Sequence, residues 1–216
     1  MKRTFEYCAL RYLLLWVQAE RDLHNIMKNS PSASDLRNSL HNFRVSRTFK
    51  GIKDKAGIVL NALNEVGASN VLSSIEMVNE LAARFSSEFN QTNLSAASKL
   101  LWFRYRSPFV IYDDRANRAL KQLGHKFDKR SYEEYASAWN VAYNQSRGEV
   151  FAAAGLIPSL HPFFADSIDS PSLELLAREP WFLERVFDIY LWENGGKPKR
   201  LGGETGVVGP KRGKVH

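Results

Sequence analysis

The sequence has one cysteine, Cys8, so no disulfide can close within the chain. With no secretory signal in view, the expected compartment is reducing and cytoplasmic. A long apolar run is also missing. The best stretch, Ala9 to Val17, is interrupted by Arg11 and followed by Glu20, Arg21 and Asp22, too short and too charged to span a bilayer. The histidines (His24, His41, His125, His161 and His216) are scattered, with no HExxH pattern and no acidic pair at ligand spacing, so no metal and no cofactor is expected. Phosphate-loop and dinucleotide glycine patterns are absent, and no Ser or Cys nucleophile sits in a recognisable turn motif. Nothing alternates with a strand period over any length, and no internal repeat is visible.

What the chain has is helical periodicity, and the expected fold class is all-α. The first helix is predicted from Phe5 to Met27, on Phe5, Ala9, Tyr12, Leu13, Trp16, Ala19 and Leu23. A short helix with Leu36, Leu40 and Phe43 follows, then a basic loop over Val45 to Lys55. Ile52 to Val66 marks another helix, with Gly67 as its left-handed stop. Ser69 or Asn70 is expected to cap the next, whose inner face would be Val71, Ile75, Val78, Ala82, Phe85 and Phe89. Ser131 and Glu134 form a capping-box pattern ahead of a long helix ending at Gly155. Ser170-Pro171 and Pro180 open the last two. Residues 1–193 therefore read as one compact multi-helix domain, expected to be a monomer. Residues 194–216, rich in glycine and cations and nearly free of large apolar groups, read as a flexible basic tail.

The formal net charge is +7, and it is segregated. Residues 37–55 hold six cations against Asp54, residues 95–130 hold nine against Asp113, Asp114 and Asp128, and the tail holds six against Glu204. The remainder is net acidic. Clustered cations suit a phosphate backbone, and equally an anionic membrane or an acidic protein partner.

The richest stretch is Leu94 to Leu120, LSAASKLLWFRYRSPFVIYDDRANRAL. Ser95, Ala96, Ala97 and Ser98 are small enough for close backbone approach at a helix mouth. Lys99 to Phe103 continues the helix, which Pro108 must end. After the apolar link Phe109 to Tyr112, Asp113 or Asp114 stands where an N-cap is needed, ahead of Ala116, Ala119, Leu120 and Leu123 on one face. Either would be a fixed anion beside Arg104, Arg106, Arg115 and Arg118.

This order of small-residue turn, lysine, apolar helix, short link and aspartate resembles the helix-hairpin-helix DNA glycosylases, including the 8-oxoguanine glycosylase group. The resemblance covers about thirty residues and implies a DNA partner, base flipping and hydrolysis of an N-glycosidic bond, in repair or in defence against base-modified foreign DNA. It makes Asp113 the catalytic aspartate and Lys99 the hairpin lysine, an amine nucleophile or a phosphate contact. Ser95, Ser98, Lys99, Arg104, Arg106 and Arg115 would then hold DNA, and the absence of a four-cysteine cluster excludes the iron–sulfur branch. Gly51 to Ala56 is a rival hairpin turn. Tyr112, Trp139 and Tyr143 are the candidate walls of a base pocket, with Asn140 and Asn144 as possible base-edge partners. The other readings are a helical nucleic-acid-binding module without catalysis and an adaptor for an acidic partner.

Overall fold

The computed structural model describes residues 2–29, 31–42, 49, 52–91, 93–159 and 170–196. The described residues are all-α, with no strand among them. The helices are α1 (Phe5–Leu15), α2 (Val17–Lys28), α3 (Ala33–Asn42), α4 (Ile52–Gly67), α5 (Ser74–Phe89), α6 (Leu94–Tyr105), α7 (Asp114–Gln122), α8 (Tyr132–Gly155), α9 (Ser170–Leu176) and α10 (Pro180–Asn194). Among the described residues, no helix is long and apolar enough to cross a membrane. Most of the basic loop, Gly51 of the rival hairpin, His161 and the tail from residue 197 lie outside the described residues.

Helix α6 is the axis of the molecule. Every residue from Ala96 to Phe103 is buried, and α2, α3, α4 and α5 pack around it. A helix enclosed on all sides shows no polar face, which is why its sequence reads as apolar with no stripe. A second group, α1, α7 and α8, gathers on α10. After the exposed turn at Ser107 and Pro108, the link from α6 to α7 passes through the interior from Phe109 to Tyr112, so its peptide groups need partners. Two tyrosines of α8 supply them. The Tyr132 hydroxyl accepts from the Val110 N–H (3.1 Å) and donates to the Val110 carbonyl (2.8 Å), and Tyr135 donates to the Ile111 carbonyl (2.8 Å). Ser98 of α6 accepts the Tyr112 N–H at 3.0 Å.

Several boundaries differ from the sequence expectation. The first helix is two, because Trp16 leaves helical geometry (φ −134°, ψ −28°) and turns its ring toward Trp192 of α10. Gly67 ends α4 without a positive φ. Its lack of a side chain instead admits the Tyr105 hydroxyl, which donates to the Gly67 carbonyl at 3.1 Å. The cap of α5 is Ser73, in a full capping box with Glu76, while Ser69 accepts from the Val71 and Leu72 N–H groups and Val71 stands 90% exposed. At α8 only half of the predicted box forms. Ser131 accepts from the Glu134 N–H, but the Glu134 carboxylate turns to the Asp128 N–H.

Candidate active site

Asp113 is the N-cap of α7, its Oδ1 accepting the Arg115 N–H at 2.8 Å. Its other oxygen, Oδ2, takes the Lys99 Nζ at 3.3 Å. The two residues reach each other because α6 and α7 are joined by the pinned link, with Tyr132, Tyr135 and Ser98 fixing where the chain delivers Asp113. Lys99 is buried, its side chain 6% exposed, whereas the Asp113 side chain is 24% exposed. Burial drives the Lys99 amine below its ordinary value, and the opposing pull of Asp113 is the weaker effect. The pair thus presents a partly exposed carboxylate in front of a desolvated amine.

Both line an open cleft of about 1170 Å³ between the two helix groups. Trp16, Tyr112 and Trp192 contribute rings to it, Asp114 and Ser95 lie at its wall, and Arg11, Lys129 and Arg130 bring cations. Glu20, Arg185 and Asp188 also line it and form a buried charge cluster. Arg185 donates to both Glu20 oxygens, Nη2 at 2.9 Å and Nε at 3.1 and 3.2 Å, and its Nη1 lies 3.8 Å from Asp188 Oδ2. Burial works against the Arg185 charge, but Glu20 and then Asp188 outweigh it and hold the guanidinium above its ordinary value. Asp188 accepts the Trp139 indole N–H at 2.8 Å. Its burial outweighs the guanidinium and pushes the carboxyl up to about 7.

That shift sets a pH dependence. Since the folded protein holds a proton on Asp188 that the unfolded chain releases at its ordinary value, stability falls as pH rises toward about 7 and levels off above it. Between pH 5 and pH 8 the Asp188 contribution to this loss is about 2 to 3 kcal/mol. Asp188→Asn, which keeps an acceptor for Trp139, is expected to flatten the profile. Urea midpoints for both proteins at the two pH values measure it, and parallel profiles would exclude Asp188 as the titrating group.

The remaining residues singled out in the sequence fall into two groups. Tyr112 is at the cleft, its hydroxyl donating to the Lys129 carbonyl (2.6 Å) and accepting from Asn117 (2.7 Å). Arg115 lies at the rim over the Trp192 ring. Away from this cleft, Trp139 and Tyr143 stack on each other (5.0 Å) and meet Phe187 edge to face and at a tilt, and Trp139, which donates to Asp188 from behind, lines a separate pocket of about 220 Å³ with Asn140. Ser98 is buried in α6, where it holds the link through Tyr112. Arg104 donates to Asn64 at 2.6 Å on the α4 side. Arg106 is buried, with its guanidinium 3.5 Å from the Trp181 ring centroid and 5.7 Å from that of Trp102, away from the cleft lining.

No protein-family model, curated protein or solved structure matches the chain.

Proposed function

We propose that the chain is a DNA N-glycosylase that removes a damaged or modified base flipped out of DNA, in repair or in defence against base-modified foreign DNA. The observation that carries this reading is the Lys99–Asp113 pair at 3.3 Å on the wall of a cleft wide enough for an extruded nucleotide. Breaking the C1′–N bond sends the electron pair out with the base and leaves positive charge on the sugar. A carboxylate fixed by a helix terminus needs no reorganisation to meet that charge, which is how preorganised groups lower such barriers. It also orients the attacking water, whose oxygen bonds to C1′ as its proton passes to the Asp113 carboxylate, which then returns it to the departed base or to solvent.

Lys99 gives the site a second course. A desolvated amine is a nucleophile in the fraction that has lost its proton. Its Nζ then bonds to C1′ in place of water. Opening of the sugar ring and loss of the nitrogen proton leave an imine that borohydride reduces to a stable adduct.

The chief rival is a nucleic-acid-binding module without catalysis, and it draws on the fact that helix capping alone accounts for the Asp113 bond to the Arg115 N–H. Capping does not account for the amine that the axis helix sets 3.3 Å behind that carboxylate, and a buried ion pair is by itself a poor source of stability. The test is a panel of modified DNA strands scored for alkali-labile abasic sites. Release of one base from one substrate class is the expected result, and salt-sensitive binding with no release from any substrate favours the module. With the substrate found, borohydride is expected to trap the wild-type protein on DNA and to leave Lys99→Met untrapped. A wild-type protein that releases base without trapping is a monofunctional enzyme working through water.

A further inference from the structure

The rim of the cleft formed by α1, α10 and α7 alternates cations with rings. Arg3 lies over the Tyr7 ring at 4.6 Å. Arg11 donates to the Tyr7 hydroxyl at 2.7 Å and lies 5.3 Å from the Trp16 ring. Trp16 meets Trp192 edge to face, with centroids 6.3 Å apart and planes at 83°, and the Arg115 guanidinium covers Trp192 at 3.8 Å. Gly196 leaves the guanidinium its place, because a Cβ there would stand 2.8 Å from Arg115 Nη2. Trp192 is only partly buried and stands outside the hydrophobic core. Glu193 pairs with Arg11 at 3.0 Å, so the row keeps a net positive charge. Arg11, Trp16 and Trp192 line the same cleft as Lys99 and Asp113.

We infer that this row is a track for an unpaired DNA strand, and that the cleft receives its nucleotide from single-stranded or locally opened DNA rather than from an intact duplex. The inference takes from the proposed function only that the cleft receives DNA. A duplex hides its base faces, so it offers such a rim phosphates alone. An unpaired strand offers both phosphates for the arginines and flat faces for the rings, the combination that binds single strands with little regard to sequence. A guanidinium already stacked on indole presents a second planar cation to a base. A base that begins unpaired also enters a pocket at the lowest cost.

Fluorescence anisotropy of the full chain with labelled oligonucleotides, single-stranded and duplex, at one salt concentration tests it. The single strand is expected to bind at least about tenfold tighter than the duplex, and Trp192→Ala to weaken the single strand alone by about tenfold, the loss of roughly one base–ring stack. Trp192→Phe, which keeps a ring, is expected to restore most of the affinity. If circular dichroism shows Trp192→Ala unfolded, Trp192→Leu, which keeps apolar bulk without an aromatic face, replaces it with the same expectation. Duplex binding as tight as single-strand binding, or equal weakening of both by these variants, overturns the inference and leaves the glycosylase reading standing. Preferential single-strand binding with no base released from any modified strand does the reverse.

Discussion

Asp113→Asn is expected to lower base release by about 10²- to 10³-fold, the loss found when one preorganised electrostatic group is removed from an active site, while DNA affinity stays within about threefold of wild type. The substitution isolates charge from architecture. Asparagine caps a helix about as well as aspartate, and its carbonyl can accept the Arg115 N–H that Asp113 Oδ1 accepts at 2.8 Å, so α7 keeps its start. What disappears is the counter-charge of Lys99 and, in the proposed reaction, the anion that faces the sugar cation. Losing that counter-charge strips away an influence that supports the Lys99 proton, so the amine becomes neutral at lower pH. The two roles therefore predict opposite signs. If nucleophilic attack by Lys99 limited the rate, the variant would gain activity near neutral pH; if stabilisation of the cation limits it, as argued above, the variant loses activity at every pH. Single-turnover base release across pH, with anisotropy for binding, separates them. Retained activity with a rising neutral-pH limb would strip Asp113 of its assigned role and leave it a helix cap.

The region around Asp113 was legible because its signals are local. Pro108 stops α6, an aspartate precedes a periodic run, and the cap forms within two residues of itself. The all-helical class followed from periodicity for the same reason. Local pattern is silent on what crosses the molecule. Glu20 and Arg185 lie 165 positions apart, one in the first turn of α2 and the other midway along α10, places where a charge ordinarily reads as solvated surface. One sign was available in Val186-Phe187-Asp188-Ile189, a lone carboxylate inside an apolar run with Arg185 three positions before it, a spacing that puts both on one helix side. Arg106 misled in the opposite direction. Its neighbours Arg104 and Tyr105 suggested a basic surface, but the chain reverses there with a positive φ of 58° and swings the side chain inward between Trp102 and Trp181. Trp139, expected at a base pocket by its type, is drawn behind the Lys99–Asp113 cleft by its partner Asp188, 49 positions away, and faces a smaller pocket there.

Arg185→Met is expected to be the most destabilising single change in the cleft, costing about 3 to 5 kcal/mol because it leaves buried acids without their cation. For a chain of this length that corresponds to a fall in Tm of roughly 6 to 20 °C. The guanidinium ties α10 to α2 through three contacts of 2.9 to 3.2 Å with Glu20, and it also faces Asp188. Without it, the Asp188 carboxyl loses the charge that opposes its burial and titrates still higher, so the folded state must hold a proton that the unfolded chain gives up. The deficit is therefore expected to be larger at pH 8 than at pH 5, since protons supply at low pH what the cation supplies at neutral pH. Adding Glu20→Met should recover most of the loss, because a buried pair replaced as a whole by apolar side chains is often close to neutral, while half of one is not. Thermal melts of the two single variants and the double variant at both pH values make the comparison. Losses that simply add would mean that Glu20 and Arg185 are not coupled, and that the floor of the cleft is held by packing rather than by charge.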